Sequence, residues 1–260
     1  MSRTIELQQG ILYGPVRSRR LGLSLGVNLL PDEIKVCSLN CRYCQYSWTG
    51  IHATEPSLYA AYLPARDQVR AALGEKLEEM ARAGMPPDTL TFSGNGEATL
   101  HPEFPGIAAD AAALRDEIAP RCRTAILSNG TTAHRPEIRD ALTALDDPIM
   151  KLDAGREETF LKLNGPVRGL SYERLLGGLR ALGRRIVLQA LFVTGAADNS
   201  TDEEVAAWIE AAASIGPRGA QLYTLDRGPA DRGLLPVPER RLTEIAERLR
   251  LATGVEAEVF

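Results

Sequence analysis

Three of the four cysteines in the chain lie in one short stretch, Cys-Ser-Leu-Asn-Cys-Arg-Tyr-Cys, as Cys37, Cys41 and Cys44. This C-x3-C-x2-C spacing packs three thiolates closely enough to hold a single inorganic centre. An iron–sulfur cluster bound only by protein needs four thiolates, so the stretch supplies one too few. One coordination position is left for a ligand that is not protein, as in catalytic rather than structural zinc sites.

Apolar strands and helical stripes alternate along the chain and must position these thiols. We predict strands at 23–29, 89–92, 124–127, 149–152, 186–193 and 220–225, with a further terminal strand at 255–259. Helical spacing of apolar residues separates most of them, for example at Val69, Leu73, Leu77 and Met80. This alternation predicts an α/β fold with a parallel sheet, either a closed or partial barrel or a doubly wound layer.

Polar groups collect where these strands end. At or after the ends of the first four strands stand the cysteine stretch, Ser93-Gly94-Asn95-Gly96-Glu97, Ser128-Asn129-Gly130 and Lys151-Leu152-Asp153. The fifth strand carries Gln189 and leads to Asp198-Asn199-Ser200, and the sixth carries Tyr223 and runs into Asp226-Arg227. The carboxyl ends of parallel strands meet at one edge of a sheet, which is where α/β proteins build their sites. The sequence therefore predicts one site that draws on all six strands.

Several of these residues have a structural as well as a functional interpretation. Gly94 and Gly96 let the backbone approach a ligand, or simply form a turn. Glu97 suits an ammonium group of a ligand, or the positive end of the next helix. Ser128 and Asn129 suit a ribose, or a turn.

The strand-end residues further along the chain have the same two interpretations. Lys151 and Asp153 either face a substrate or pair with each other. Gln189 lies in an apolar strand and needs a hydrogen-bond partner if it is buried.

Composition places limits on the class of protein. With 260 residues, 44% hydrophobic and 25% charged, the chain fits one globular domain, and no apolar run approaches the ~20 residues that span a bilayer. We expect no membrane association and a cytoplasmic location, where clustered cysteines bind metal more often than they form disulfides. The net charge of −4 gives no support for RNA binding. Arg17, Arg19 and Arg20 form the only compact basic cluster, and its role is left open.

The motifs together resemble the radical S-adenosylmethionine (radical SAM) superfamily. The resemblance rests on Cys37-x3-Cys41-x-Tyr43-Cys44 and on Gly94-Asn95-Gly96-Glu97 in place of the usual Gly-Gly-Glu. It covers essentially the whole chain and implies a partial (β/α)6 barrel over residues 23–260, with a short amino-terminal extension over residues 1–22.

Longer segments resemble the wyosine-type tRNA synthetase branch of that superfamily. These segments are 13–22, 24–31, 93–102 and 222–227. The wyosine enzymes carry further cysteines for a second cluster, whereas only Cys122 remains here, at the start of a predicted strand. We therefore expect no second cluster.

The resemblance implies an enzyme of the iron–sulfur oxidoreductase or lyase type. Cys37, Cys41 and Cys44 would hold a [4Fe-4S] cluster whose fourth iron binds S-adenosylmethionine. Reductive cleavage would give a 5′-deoxyadenosyl radical that takes hydrogen from a small-molecule or nucleoside substrate. Reducing the sulfonium of S-adenosylmethionine needs a cluster of low reduction potential, which implies a flavodoxin- or ferredoxin-like electron donor.

The resemblance also suggests a role for each strand-end residue. Glu97 would bind the ammonium group, and the backbone of Gly94, Asn95 and Gly96 would contact the same ligand. The remaining expectations concern Tyr43 near the adenine, Ser128, Asn129 and Gln189 near the ribose or carboxylate, and Lys151, Asp153, Asn199, Tyr223 and Arg227 facing substrate.

Three alternatives remain open at the level of sequence. A glycyl-radical enzyme activase shares the cysteine spacing, but such activases resemble one another in an Asp-x-Lys strand end, whereas this chain has Lys151-Leu152-Asp153. A tRNA-modifying radical SAM enzyme is the second. The third is a zinc-binding interaction module, in which His52 completes a Cys3His site.

Overall fold

The computed structural model describes residues 4–260, and its strands form one large sheet and two small ones. In chain order the strands are β1 Leu12–Ser18, β2 Gly22–Val27, β3 Val36–Cys37, β4 Ile51–His52, β5 Thr89–Phe92, β6 Arg123–Ser128, β7 Asp147–Lys151, β8 Val187–Leu191, β9 Val193–Gly195, β10 Gly219–Tyr223, β11 Leu234–Pro236 and β12 Ala257–Val259.

The large sheet has the order β1-β2-β5-β6-β7-β8-β10-β12. Six of its strands, β2, β5, β6, β7, β8 and β10, run parallel to their neighbours, and β12 adds a further parallel strand beside β10. The predicted α/β class and the partial (β/α)6 barrel are confirmed. Strand β1 pairs with β2 in the antiparallel direction, so part of the predicted amino-terminal extension joins the sheet.

Seven α-helices of the described residues lie along the sheet: α1 Arg66–Arg82, α2 Phe104–Ile118, α3 Pro136–Ala144, α4 Glu157–Asn164, α5 Tyr172–Leu182, α6 Asp202–Ile215 and α7 Glu239–Thr253. The apolar stripe predicted for α1 is buried along its whole length. Helix α6 begins where the Thr201 side chain accepts a hydrogen bond from the Glu204 amide, and it ends at Gly216 in the left-handed region. In the part of the chain that the structure covers, no helix is both long and apolar enough to cross a membrane.

Helix α6 also fixes the loop that follows β7. The indole N–H of Trp208 donates to the Leu152 carbonyl oxygen at 2.8 Å, so this buried donor is satisfied. A Cβ on Gly155 would lie 2.1 Å from the Ala207 carbonyl carbon, so only glycine allows the loop to pack this closely on the helix. Asp153 lies between these two contacts in the chain, so its position is set by the packing of the loop on α6.

Two features of the fold differ from the sequence prediction. The strand expected at 186–193 is divided, because the side chain of Asn199 replaces a neighbouring strand at the break. Its amide donates to the Leu191 and Asp153 carbonyl oxygens at 2.7 Å each, and its Oδ1 accepts from the Val193 N–H at 2.8 Å. Asn199 is buried and engaged in these three hydrogen bonds, and its expected place facing substrate stays a prediction. Helix α4 was not predicted at all.

Candidate functional site

The cysteine loop lies between β3 and β4, above the carboxyl end of the barrel. Cys37 is buried, whereas Cys41 and Cys44 are partly exposed. The loop rests on the end of α4, because the backbone N–H of Asn40 donates to the Asn164 carbonyl at 2.9 Å. A turn in which the Cys44 N–H donates to the Cys41 carbonyl at 3.0 Å then joins the last two cysteines.

Two side-chain amides reach the sulfur atoms of this loop. The Asn129 Nδ2 lies 3.5 Å from the Cys37 Sγ, and the Asn164 Nδ2 lies 3.4 Å from the Cys41 Sγ. Burial raises the pKa of the Cys37 thiol to about 12 and that of Cys41 to about 11. Thiolates therefore form here only when a cation replaces the proton, and the amide donors then face charged sulfur.

The donor set fits a cluster held by three protein thiolates. Cys122, the remaining cysteine, stands next to the amino end of β6, and its Sγ donates to the Arg123 carbonyl. Within residues 4–260, no three or more His, Cys, Asp or Glu side chains are grouped as the ligands of one metal ion. In a [4Fe-4S] cluster each cysteine binds its own iron, so the thiols need not converge on one point. The ring Nε2 of His52 instead lies 3.1 Å from the Ser38 carbonyl oxygen, which gives the zinc alternative no observation in its favour.

The glycine loop after β5 packs directly against the cysteine loop. Gly96 has φ of +139°, and a Cβ there would lie 1.7 Å from the Val36 carbonyl oxygen. Gly94 has φ of +141°, and a Cβ there would lie 2.5 Å from the Asn28 side chain. The Val36 N–H donates to the Asn95 carbonyl at 3.0 Å, and Val36 accepts from the Glu97 N–H at 3.1 Å. These glycines are therefore required to hold β3, which carries Cys37.

Asn95 is buried, and its side chain ties the amino-terminal segment to this loop. Its Nδ2 donates to the Gln8 and Pro31 carbonyl oxygens at 2.9 Å each, while its Oδ1 accepts from the Gln8 N–H at 2.8 Å. The side-chain amide of Asn95 is occupied by these contacts, and its backbone N–H donates to the Asn28 Oδ1 at 3.1 Å. The predicted ligand contact of Asn95 stays a prediction.

Glu97 is buried and links the loops after β5 and β6. Its Oε1 accepts from the Thr99 N–H at 3.1 Å, the Thr99 hydroxyl at 2.6 Å and the Ser128 hydroxyl at 2.9 Å, and its Oε2 accepts from the Asn129 N–H at 2.6 Å. Burial raises the pKa of Glu97, and these hydrogen bonds lower it only in part. Oε2 has a single protein donor and retains capacity for another. The prediction that Glu97 meets an ammonium group is compatible with this geometry, and stays a prediction.

An ion pair lies at the end of β7. The Lys151 Nζ is 3.2 Å from the Asp153 Oδ1, and it donates to the Tyr223 hydroxyl at 2.6 Å. It also lies 4.8 Å from the ring centroids of both Tyr43 and Tyr223. The pairing predicted as one alternative is therefore present, and it brings residues of the cysteine loop, β7 and β10 together.

Asp153 has further partners on its second oxygen. Oδ2 accepts from the Tyr43 hydroxyl and from the Asn164 Nδ2, the latter at 2.8 Å. Burial lowers the pKa of Lys151, but the attraction of Asp153 and Tyr223 outweighs it, so the net pKa is raised and the ammonium stays charged. Burial and the Asp153 charge raise the pKa of Tyr43, so its phenol stays protonated.

Gln189 is buried and has the partner that burial requires. Its Nε2 donates to the Gln221 Oε1 at 3.1 Å, in the paired position on β10, and its Oε1 accepts from the Tyr223 hydroxyl at 3.3 Å. A continuous polar network thus runs from Cys41 through Asn164 and Asp153 to this glutamine pair. Arg227, by contrast, is exposed on the loop after β10, and its predicted contact with substrate stays a prediction.

Asn164 is the site residue that the sequence interpretation missed. It is the last residue of α4, and its amide contacts the Cys41 sulfur, the Tyr43 hydroxyl at 3.2 Å and Asp153. An Asn followed by a glycine at φ of +49° is a common end of a helix, so Asn164-Gly165 was the available signal. That signal was lost because the helix itself is short and weakly patterned.

The family follows from a direct comparison. The model of the radical SAM superfamily matches residues 34–219, which contain the cysteine loop, the glycine loop and the parallel strands β5, β6, β7 and β8. The chain belongs to the radical SAM superfamily.

The chain is also similar in sequence to several curated proteins. The chain is 27% identical over 252 residues to a protein named GTPase Obg from Brachyspira hyodysenteriae, covering 95% of this chain but only 35% of that protein. It is 27% identical over 238 residues to the UPF0026 protein MJ1312 of Methanocaldococcus jannaschii, covering 90% and 70% of the two chains. The chain thus spans about a third of the length of the first relative.

Solved structures share the fold. A radical SAM methyltransferase from Sphaerobacter thermophilus superposes with a TM-score of 0.65 at 15% identity, covering 91% of this chain and 65% of that one. TYW1 with a lysine-pyruvate adduct bound superposes with a TM-score of 0.56 at 13% identity, covering 88% and 74%. At such identities the likeness concerns the fold alone.

Proposed function

We propose that the chain is a radical SAM enzyme of the iron–sulfur oxidoreductase or lyase type, acting on a small-molecule or nucleoside substrate. The observation that carries the proposal is a loop with three thiols and no fourth, which contacts the Lys151–Asp153 pair at the carboxyl end of the barrel through Tyr43. Asn164 connects the two by donating both to the Cys41 sulfur and to Asp153.

In this proposal Cys37, Cys41 and Cys44 bind three irons of a [4Fe-4S] cluster. When bound, the cluster and S-adenosylmethionine supply a low-potential electron and a 5′-deoxyadenosyl radical that abstracts hydrogen from substrate. The chain's own contribution is to exclude water from Cys37 and to donate amide hydrogens to two of the three sulfurs. Hydrogen bonds to cluster sulfur and burial are the means by which proteins set cluster potentials.

The residues around Glu97 would hold S-adenosylmethionine. Glu97 Oε2 accepts the ammonium group, and the backbone of Gly94, Asn95 and Gly96 contacts the same end of the ligand. Ser128 and Asn129 lie at the end of β6 and Gln189 lies within β8, and these three would meet its ribose or carboxylate. Because the Tyr43 hydroxyl donates to Asp153, the aromatic ring of Tyr43 is the part that would face the adenine.

The residues deeper in the barrel would face substrate. Lys151, Asp153 and Tyr223 are joined by hydrogen bonds, and Arg227 lies on the loop above them. The Tyr223 hydroxyl accepts a hydrogen bond from Lys151 and donates one to Gln189, so the direction of its O–H bond is fixed. We propose that this arrangement orients the substrate beside the cofactors.

An electron donor of the flavodoxin or ferredoxin class would approach the outer side of the cysteine loop. A cleft of about 390 Å³ opens there, between residues that flank Cys41 and the end of α4. Its lining includes Arg42, Trp48 and Lys162, and the Trp48 side chain is exposed. The cleft shares Asn40 and Gly165 with the contact that anchors the loop, so a partner there would lie close to the cluster.

The test is anaerobic reconstitution with iron and sulfide, followed by reduction in the presence of S-adenosylmethionine. We expect 5′-deoxyadenosine and methionine, measured by mass spectrometry. Cys41→Ala removes one cluster ligand and should abolish both iron loading and cleavage. Cys122→Ala is the matched control, since Cys122 is buried at the other end of β6, and it should retain both. Full iron loading in Cys41→Ala contradicts the proposal.

A further inference from the structure

The hairpin between β1 and β2 reaches across the open side of the barrel. These strands form one edge of the sheet, and β10 with β12 forms the other. At the tip of the hairpin the Arg20 guanidinium lies 5.3 Å from the ring centroid of Tyr223 and 5.4 Å from that of Phe260. Arg20 therefore bridges the two edges beside the proposed substrate site.

The Arg20 guanidinium has no acceptor among the described residues. Its Nη1 is buried without a hydrogen-bond partner, and no carboxylate within residues 4–260 forms an ion pair with it. The neighbouring Arg19 takes the nearby carboxylate instead, with its Nη2 3.9 Å from Asp226. An arginine remains charged in proteins, and leaving a buried charged N–H unsatisfied is costly. The described part of the folded chain therefore leaves the Arg20 guanidinium without a counter-ion.

Cationic and aromatic groups alternate from the cysteine loop to this point. Tyr43, Lys151, Tyr223, Arg20 and Phe260 follow one another, with separations of 4.8, 4.8, 5.3 and 5.4 Å between each cation and the ring beside it. The charge of Lys151 is balanced by Asp153. Within residues 4–260 no carboxylate pairs with Arg20, so the open side of the barrel carries an uncompensated positive charge at this point.

We propose that Arg20 is the recognition residue for an anionic group, a carboxylate or a phosphate, on the substrate. A guanidinium that stacks on rings keeps its in-plane N–H groups for a planar or tetrahedral anion, which it binds with two hydrogen bonds. The assignment of the anion as a substrate rests on the proposed function, whereas anion binding itself does not. Recognition of an anion by Arg20 narrows the substrate class to molecules that carry a carboxylate or a phosphate.

The test measures anion binding by the intact, reconstituted protein under anaerobic conditions. Inorganic phosphate and acetate serve as the two probes, followed by the broadening of their NMR lines. We expect saturable binding of at least one, weakened about 10-fold or more by Arg20→Gln, because hydrogen bonds to a charged group are lost. Arg20→Lys keeps the charge but loses the planar fork, and should weaken binding less. Arg17→Gln is the control, since Arg17 is exposed on the same hairpin and should bind as the natural protein does. The tighter probe identifies the anion.

Two results overturn this assignment: no saturable binding of either probe, or equal binding by Arg20→Gln. If Arg20→Gln does not fold, Arg20→Lys decides, and binding unchanged from the natural protein then contradicts recognition by the guanidinium. Cleavage of S-adenosylmethionine without Arg20-dependent anion binding refutes this inference alone. Arg20-dependent binding without cleavage refutes the proposed function alone.

Discussion

Replacing Asp153 by asparagine removes one charge from the buried pair while keeping the shape of the side chain. Asp153 is 2% exposed and has four partners: the Lys151 ammonium, the Leu191 N–H at 2.9 Å, the Asn164 amide and the Tyr43 hydroxyl. In Asp153→Asn the Leu191 N–H can still be satisfied by the new amide oxygen. The Lys151 ammonium, whose side chain is 18% exposed, loses its counter-ion.

Breaking a buried ion pair by removing one partner costs about 3–5 kcal/mol. A smaller part of the loss comes from Asn164, whose N–H group would then face the N–H group of the new amide. The Asn164 Oδ1 is buried without a partner, so a flip of that amide relieves the conflict. The same flip withdraws the donor from the Cys41 sulfur. We therefore expect a loss of about 3–5 kcal/mol in unfolding free energy, together with a disturbed thiol.

The loss should depend on pH in a defined direction. In the natural protein the pKa of Lys151 is raised, so its pairing stabilises fully below the pKa of the unfolded chain and is lost only as pH rises through the higher folded value. In Asp153→Asn the main raising influence is gone and burial lowers the pKa below that of the unfolded chain. The unfolded state then binds more protons, so stability rises with pH. The deficit should shrink between about pH 7 and about pH 10.

The assay is urea unfolding followed by far-UV circular dichroism, on anaerobic preparations of matched iron content. Asp226→Asn is the control, because Asp226 and Arg19 are 80% and 71% exposed, and it should change stability by no more than about 0.5 kcal/mol. Combining Lys151→Met with Asp153→Asn removes the unpaired charge and should recover much of the loss. A single Asp153→Asn variant as stable as the control would refute the reasoning.

Three further changes test other parts of the site. Gly96→Ala should destabilise the folded protein by about 2–6 kcal/mol and reduce bound iron, since backbone strain adds to the collision with Val36. Gly177→Ala is the control and should do neither, because a Cβ at Gly177 would have nothing within 4 Å. Glu97→Gln should leave iron content unchanged but weaken S-adenosylmethionine binding by about 10-fold or more in calorimetric titration, because a charge-assisted hydrogen bond is lost. Unchanged affinity would show that Glu97 does not bind S-adenosylmethionine. Asn164→Ala should move the cluster midpoint potential to more negative values in an EPR-monitored redox titration, since one N–H donor to sulfur is lost; an unchanged potential contradicts that role.

The pattern of strands and helices was sufficient to predict a parallel α/β sheet and the edge that carries the site, whereas the choice of a partial barrel came from the family resemblance. Strand bodies such as Thr89–Phe92 are apolar and end in polar residues, and that pattern depends only on local order along the chain. The structure brings Lys151, Asp153, Gln189 and Tyr223 into contact, as expected of residues at neighbouring strand ends.

The contacts between elements were harder to predict. The sequence indicates that Gly96 either lets a ligand approach or forms a turn. It does not reveal that Gly96 also allows the cysteine strand to pack on the loop, a contact between segments distant in sequence. Asn164 and Arg20 gain their partners only in the folded chain: Asn164 from α4 against the cysteine loop, and Arg20 from the hairpin across the open barrel. No local pattern specifies such pairings.

The proposed chemistry depends on one iron that has no protein ligand. The most direct measurement is electron–nuclear double resonance on the reduced, reconstituted protein with S-adenosylmethionine labelled at its amino nitrogen and carboxylate oxygens. We predict hyperfine coupling from both labels, and retention of that coupling in Cys122→Ala. Absence of coupling, with coupling instead to a fourth protein donor, would contradict the proposed site.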